Sequence, residues 1–221
     1  IAIGTGAAQN TTTGGNNLAI GANALFSNTT GGVNLAIGTA SLSDNINGSG
    51  NTAIGLGTLS ENVSGSRNTA VGDQAGFRNT GIGNTLLGYF ASIFTTTGNY
   101  NTVIGNEAGR NGDMGSNNTL LGAFSGQVIE GTGNLFLGYQ SGATLTNVSN
   151  TLIVENSNST SPLIYGEFDN NVLRANGTLQ VGNPTGTGYA FPVTDGTANQ
   201  ITTAIASSST TDTITIGMPD D

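Results

Sequence analysis

The stretch NTAIGLGTLSENVSGSR, Asn51 to Arg67, holds one complete unit of a pattern that runs through most of this chain. Its first five residues are Asn, a Thr, two apolar residues and Gly. The phrase returns as NLAIG at Asn17 and Asn34, NTAVG at Asn68, NTLLG at Asn84, NTVIG at Asn101, NTLLG at Asn118 and NLFLG at Asn134. A last copy, NTLIV from Asn150, places Val154 at the Gly position, and the chain opens inside a copy at Ile1–Gly4, so one more turn is expected upstream. Successive Asn residues are 17, 17, 17, 16, 17, 17, 16 and 16 residues apart. A fixed period of this length marks a stack of near-identical turns of chain.

Within the unit, Thr52-Ala53-Ile54 predicts a short strand stopped by Gly55, and Gly57–Ser60 a second short extended segment. Asn62-Val63-Ser64-Gly65 is turn chemistry, because Asn and Gly tolerate positive φ. A helix is excluded by glycines every few residues, each costing about 1 kcal/mol relative to Ala. The fold class expected is all-β: a parallel β-roll or β-solenoid of 16–17-residue coils.

Columns of the aligned units sharpen this. The residue before the motif Gly is Ile20, Ile37, Ile54, Val71, Leu87, Ile104, Leu121 or Leu137, never polar. The residue before that is also always apolar, from Ala19 to Phe136. Neighbours on a strand point to opposite faces, so both faces want burial. One fills the coil; the other needs a cover the chain does not supply, which predicts an interface between chains. A third column, three residues after the Gly, is always small, as at Ala24, Ser41 and Thr58. The position after it holds Leu25, Leu42 and Leu59 early but Gly76, Gly109, Gly126 and Gly142 later, as the Ala column swells to Leu, Val and Phe. This reads as volume moved from one wall to the other. The Asn column (Asn17, Asn34, Asn51, Asn68, Asn84, Asn101, Asn118, Asn134) is expected to form a structural side-chain ladder.

Composition agrees. Of 221 residues, 36 are Gly, 8% are charged, and the formal net charge is −9. The cations are four Arg residues, Arg67, Arg78, Arg110 and Arg174, with no basic patch, which argues against nucleic-acid binding. No apolar run approaches the ~18 residues of a membrane helix, so no membrane insertion is expected. Residues 1–150 form the repeat stack. Residues 151–181 switch to strand alternation and read as a β cap; 182–188 are a linker; 189–221 hold short strands with too little apolar mass for a lone core, and predict a segment intertwined with partner chains.

The phrases SGNTAIGLGTLSENVSGSRNTAVG and GNLFLGYQSG resemble the repeats of trimeric autotransporter adhesin heads and of trimeric phage and bacterial fibres that often end in an endosialidase-type chaperone. The longer period is closer to the second group. PLIYGEF from Pro162, followed by NGTL from Asn176, is similar to the module closing such heads, and YAFPVTDGTANQ from Tyr189 to a segment found after them. The resemblance spans about residues 1–200. It implies a left-handed parallel β-roll, three chains around one axis, and attachment to a host-surface glycan or protein outside the cell, on a virion tail fibre or bacterial surface. No chaperone domain is recognisable, so any such domain is expected to lie beyond Asp221 or to have been removed.

Chemistry has little to work with. The chain has no His and no Cys, which removes the common nucleophile–base pairs, and no enzyme activity is expected. Glu167 and Asp169 share a strand face as the nearest approach to a glycosidase pair, but read as a solvated edge. Asp44, Glu61, Asp73, Glu107, Asp113 and Glu130 are spread one or two per coil, so neither metal nor cofactor is expected. Tyr89, Phe90, Phe94, Tyr100, Phe124, Phe136 and Tyr139 concentrate aromatics in residues 84–140. Tyr89 and Tyr139, each directly after a motif Gly, are the candidates for receptor contact. Two rivals stand beside the fibre: an ice-binding solenoid, from the column Thr52, Thr69, Thr85, Thr102 and Thr119 that Leu18, Leu35 and Leu135 interrupt, and a polysaccharide depolymerase.

Overall fold

The computed structural model describes residues 1–176. They form an all-β solenoid of about nine turns, and no helix occurs among the described residues. Each turn contributes one strand: β1 (Ala2–Ile3), β2 (Leu18–Ile20), β3 (Leu35–Ile37), β4 (Thr52–Ile54), β5 (Thr69–Val71), β6 (Thr85–Leu87), β7 (Thr102–Ile104), β8 (Thr119–Leu121), β9 (Leu135–Leu137) and β10 (Thr151–Val154). They stack in parallel and in chain order, with Ala19 beside Ala36 beside Ala53 and so on to Phe136. At about 4.8 Å per strand the nine turns rise on the order of 45 Å.

The middle residue of each strand points inward. Ala19, Ala36, Ala53, Ala70, Val103, Leu120 and Phe136 are fully buried. The outer two residues of each strand face away from the core. The small column is also interior: Ala24, Ser41, Thr58, Ala75, Ala91, Ala108, Ser125 and Ser141 are fully buried. Its smallness therefore reflects a narrow coil.

The predicted second strand at Gly57–Ser60 is not one. Residues 56–61 are continuous turn, because Gly57 and Leu59 take left-handed φ of 59° and 51°. Alternate amides of this wall bond to the next coil (Leu59 N–H to Ala75 O, Glu61 N–H to Phe77 O), and those between bond back three residues (Ser60 N–H to Gly57 O). Small-large alternation imitates strand alternation, but here it alternates handedness.

Volume exchange across the core is direct. Leu25, Leu42 and Leu59 fill the interior opposite the Ala strands and are fully buried. Where the strand residue is large, the slot empties. A Cβ on Gly126 would lie 2.9 Å from both Cδ atoms of Leu120 and 3.2 Å from Phe136, and one on Gly142 would lie 2.6 Å from the Phe136 ring. Positive φ does not itself demand glycine there, since Leu25, Leu42 and Leu59 adopt the same conformation. Leu120→Ala is therefore expected to cost about 2–5 kcal/mol, and Gly126→Ala to cost less in that variant than in the unmodified chain, because the two Leu120 Cδ atoms 2.9 Å from its Cβ are gone. Urea unfolding of the two single variants and the double variant measures this; additivity would refute the exchange.

The last repeat has a different register from that expected. Leu152, Ile153 and Val154 pair with Leu135, Phe136 and Leu137. Thr151, not Asn150, stands in the Asn column, and Glu155, not Val154, stands at the Gly position, where its N–H bonds Leu137 O. The reason is coil length: Asn134 Nδ2 reaches Val148 O 14 residues on, as Asn51 reaches Gly65, whereas the shortened coils span 13, as from Asn118 to Gly131, so this coil keeps its full corner and 17 residues. Moving the register by one residue puts Ile153 in the core and Val154 on an ordinary strand. The roll stops there. β11 (Ile164–Glu167) returns antiparallel to β10, and β12 (Val172–Ala175) antiparallel to β11. Tyr165 packs on the end of the core, and Arg174 lies over its ring at 5.7 Å. The end of the predicted cap at 177–181, the linker 182–188 and the segment 189–221 lie outside the described residues.

Candidate functional site

The outer face of the strands is the largest regular surface feature. Two columns build it. One holds the residue before the motif Gly, and the other holds Leu18, Leu35, Thr52, Thr69, Thr85, Thr102, Thr119 and Leu135. Ile20, Ile37, Ile54, Leu87 and Leu121 are half-buried. Val71 and Ile104 are 37% exposed and Leu137 is 43% exposed. An aliphatic row therefore runs unbroken down β2–β9 on the outside of the chain. Continuous apolar surface of this kind marks an interaction face.

Asn residues hold this face rigid at its leading corner. Each amide oxygen accepts the backbone N–H of the Asn one coil on: Asn17 from Asn34 at 2.8 Å, Asn34 from Asn51 at 2.9 Å, Asn51 from Asn68 at 3.0 Å. The same link recurs through Asn84, Asn101, Asn118 and Asn134 to Thr151. Each amide nitrogen donates to a carbonyl of the corner below, as Asn51 Nδ2 does to Gly65 O at 2.8 Å. The ladder is thus mainly side chain to backbone. Direct amide-to-amide bonds occur at Asn68, Asn118 and Asn134. The carboxamide replaces the strand partner that a bending chain cannot keep, which is why buried polar groups survive there.

A second ladder escaped sequence reading. Asn28, Asn45 and Asn62 are fully buried three residues after Leu25, Leu42 and Leu59. Asn45 Nδ2 donates to Asn28 Oδ1 at 2.8 Å, Asn62 Nδ2 to Asn45 Oδ1 at 3.2 Å, and each also caps a Gly carbonyl three residues on. The signal was present as Leu-x-x-Asn at the same period, masked because these residues sit within an obvious turn sequence. Ile129 fills the equivalent position in a later coil, so the column can be polar or apolar if it is satisfied.

Aromatic side chains divide into three groups. Phe136 is wholly in the core and is no surface group. Tyr89 and Tyr139, 44% and 45% exposed, stand at the trailing corner of the strand face. Phe90, Phe94 and Phe124 lie along the turn wall. Tyr89 stacks on Phe90 with ring centres 3.9 Å apart, and Tyr139 meets Phe124 edge-on at 5.8 Å. Arg110 lies 5.0 Å over Phe90 and pairs with Glu107 at 2.8 Å; Arg78 lies 5.5 Å from Phe94 and pairs with Glu61 at 3.3 Å. The Arg78–Glu61 pair is solvated and worth roughly 0–1 kcal/mol, while Arg110–Glu107 is partly buried.

The carboxylates stay dispersed. Among the described residues no group of three or more His, Cys, Asp or Glu is placed to hold a metal ion. Asp113 accepts from the N–H and hydroxyl of Thr96. Glu167 accepts from Asn170 and from the Tyr165 hydroxyl, bonds that hold its carboxyl below the usual range, while burial and this acid push Tyr165 up. Asp169 does not share a strand face with Glu167, since β11 ends at Glu167 and Asp169 lies in the following turn. Glu155 closes the roll: its carboxylate accepts from the N–H groups of Asn156 and Leu163 and from Ser157, and the Asn156 bond chiefly lowers its pKa. Cavities lie at the ends of the stack, one of about 550 Å³ beside Ile1, Ala8 and Asn17 and one of about 300 Å³ between Leu152, Gly166, Phe168 and Leu173. Neither brings two carboxylates together. Among the described residues no helix is long and apolar enough to cross a membrane. No protein-family model, no curated protein and no solved structure matches the chain.

Proposed function

We propose that this chain is a segment of a homotrimeric extracellular fibre, of the kind built into phage tail fibres and bacterial surface adhesins, whose task is display and attachment. The observation that carries the reading is the outward aliphatic row of β2–β9. It is as regular as the buried core, yet stands open on the single chain. Three copies packed around an axis parallel to the stack would cover it along its whole length. Attachment then falls to the turn wall, where aromatic rings, Arg110, Glu107 and Gln127 offer stacking and hydrogen-bonding groups to a host-surface glycan or protein. Three identical walls per fibre multiply a weak contact. The segment acts by binding, without cofactor or catalysis.

Light scattering on the purified chain without crosslinker tests this. A native mass of about 66 kDa, three times the 22.0 kDa chain, is the expected result. A folded monomer near 22.0 kDa would overturn it. One observation favours a second reading: Thr52, Thr69, Thr85, Thr102 and Thr119 stand in register on the outer face of β4–β8, a hydroxyl row beside the aliphatic one. A monomer showing thermal hysteresis would replace the fibre with an ice-binding solenoid.

A further inference from the structure

Two corner columns bracket the strand face, and their sizes are linked. The leading corner is the residue before each motif Asn; the trailing corner, six residues on, follows the motif Gly. Where the trailing residue is a large apolar one, the leading residue is Gly: Leu56 with Gly50, Tyr89 with Gly83, Tyr139 with Gly133. Where the leading residue is large, the trailing one is small or polar: Val33 with Thr39, Tyr100 with Asn106. Arg67 is matched with Asp73.

Within one chain the two residues of a pair are too far apart for one to set the size of the other. The two corners lie at opposite ends of the same strand, on the order of 15–20 Å apart at about 3.3 Å per residue. Backbone conformation does not select the glycines either. Gly50, Gly83 and Gly133 have φ of 70°, 72° and 68°, and Val33, Arg67 and Tyr100 adopt 60°, 60° and 57° in the same column. Tyr100 lies against Gly83, and a Cβ on Gly133 would lie 2.6 Å from Asn150 Oδ1, so both glycines also make room for the next residue of their own column, but a Cβ on Gly50 would meet only ordinary contact at 3.8 Å. Meanwhile Leu56 is 51% exposed, as free as the two tyrosines. Arg67 is exposed with no ion pair among the described residues. The Asp73 carboxylate has no hydrogen-bond partner among them, although its Oδ1 is shielded from solvent.

Matched columns on opposite corners become neighbours when copies pack in parallel around an axis along the stack. The trailing corner of one copy then meets the leading corner of the next at the same coil. We infer that a second copy of this chain docks on each corner in exact coil-to-coil register, Leu56, Tyr89 and Tyr139 entering the notches at Gly50, Gly83 and Gly133, and Arg67 pairing with Asp73 of the neighbouring copy. The inference rests on the fibre reading above and adds its register. It moves Tyr89 and Tyr139 from the receptor surface to the seam. A slip of one coil would set Tyr89 against Tyr100 and Arg67 against Leu56 or Tyr89, so the columns act as a key against misregister.

The chain has no cysteine, so Arg67→Cys with Asp73→Cys introduces the only thiols. Treated with a short bis-maleimide, the double variant is expected to run as covalent multiples of the chain, and each single variant as one chain. Crosslinking of either single variant with itself overturns the register. So does an uncrosslinked double variant whose native mass is still multimeric, a result that leaves the fibre reading standing. A monomeric native mass overturns both. As an independent check, Arg67→Asp should shift native mass toward the single chain on dilution, and Arg67→Asp with Asp73→Arg should restore it; failure of the exchange to restore assembly counts against the ion pair.

Discussion

Gly55→Ala is expected to lower stability by about 4 kcal/mol or more, an effect of the size reserved for special backbone positions. Gly55 sits at φ +135°, a region closed to residues with a Cβ at a cost of roughly 1–3 kcal/mol. The added Cβ would also lie 2.5 Å from Gly72 O and 2.7 Å from Thr58 Oγ1. Neither can withdraw, since Gly72 is held by its own bond to Ile54 O. In a stack each coil is stabilised mainly by its neighbours, so damage here separates the coils on either side. Gly15→Ala is the control: a Cβ there meets nothing within 4 Å, and the change should stay within about 0.5 kcal/mol. Urea unfolding of both variants measures the difference. Equal stability would show that the motif glycines are not required by the close stacking of coils.

The second large effect is expected at Asn51. Its side chain is buried and serves three bonds, accepting from the Asn68 N–H and Asn68 Nδ2 and donating to Gly65 O. Gly65 O keeps Asn62 Nδ2, and Asn68 Nδ2 keeps Gly81 O. The Asn68 N–H is left with nothing. Asn51→Ala should therefore cost about 2–4 kcal/mol, the penalty of a buried donor without a partner added to the lost packing. Asn51→Asp keeps the acceptor but sets a carboxylate against the Gly65 carbonyl in a dry corner. Both effects raise its folded pKa above the unfolded value. Its stability relative to the unmodified chain is thus greatest below the unfolded value, about 4, and falls as pH rises through the folded one. Melting temperatures of both proteins at pH 4 and pH 7 test the sign. A variant gap that narrows with rising pH would contradict it.

Much of this architecture is visible in the sequence because each coil repeats one physical problem. The Asn-x-Φ-Φ-Gly phrase marks every strand through β9, and the core column can be followed by eye from Ala19 to Phe136. What sequence hides is conformation that imitates another pattern. Leu59 sits in a wall that alternates like a strand; the clue that it takes positive φ is that Gly76, Gly109, Gly126 and Gly142 share its column. Asn150 invites alignment with Asn134 by identity, whereas the structure keeps a full-length corner before the last strand and places Thr151 on the ladder. Asn28, Asn45 and Asn62 look like surface turn residues because nothing local announces their burial. The candidate interface was legible only as a surplus, an apolar column more than one core needs.

Coil length varies without disturbing the strands. The 16-residue turns omit one residue between Asn79 and Gly81 and between Ile129 and Gly131, in a corner, while β5, β6, β8 and β9 keep their pairing. The core, by contrast, is written in two dialects. Coils with Ala19, Ala36 and Ala53 stack on one another, as do those with Leu120 and Phe136, and Ala70 with Gly76 is the junction, where Leu86 reaches into the vacant slot. Adding or removing a whole coil within either dialect therefore keeps every core residue against a neighbour of its own kind and changes only the length of the stack. Joining the two dialects elsewhere sets a large strand residue against a filled slot, or a small one against an empty slot. The junction thus makes the rod a composite of two independently extensible blocks.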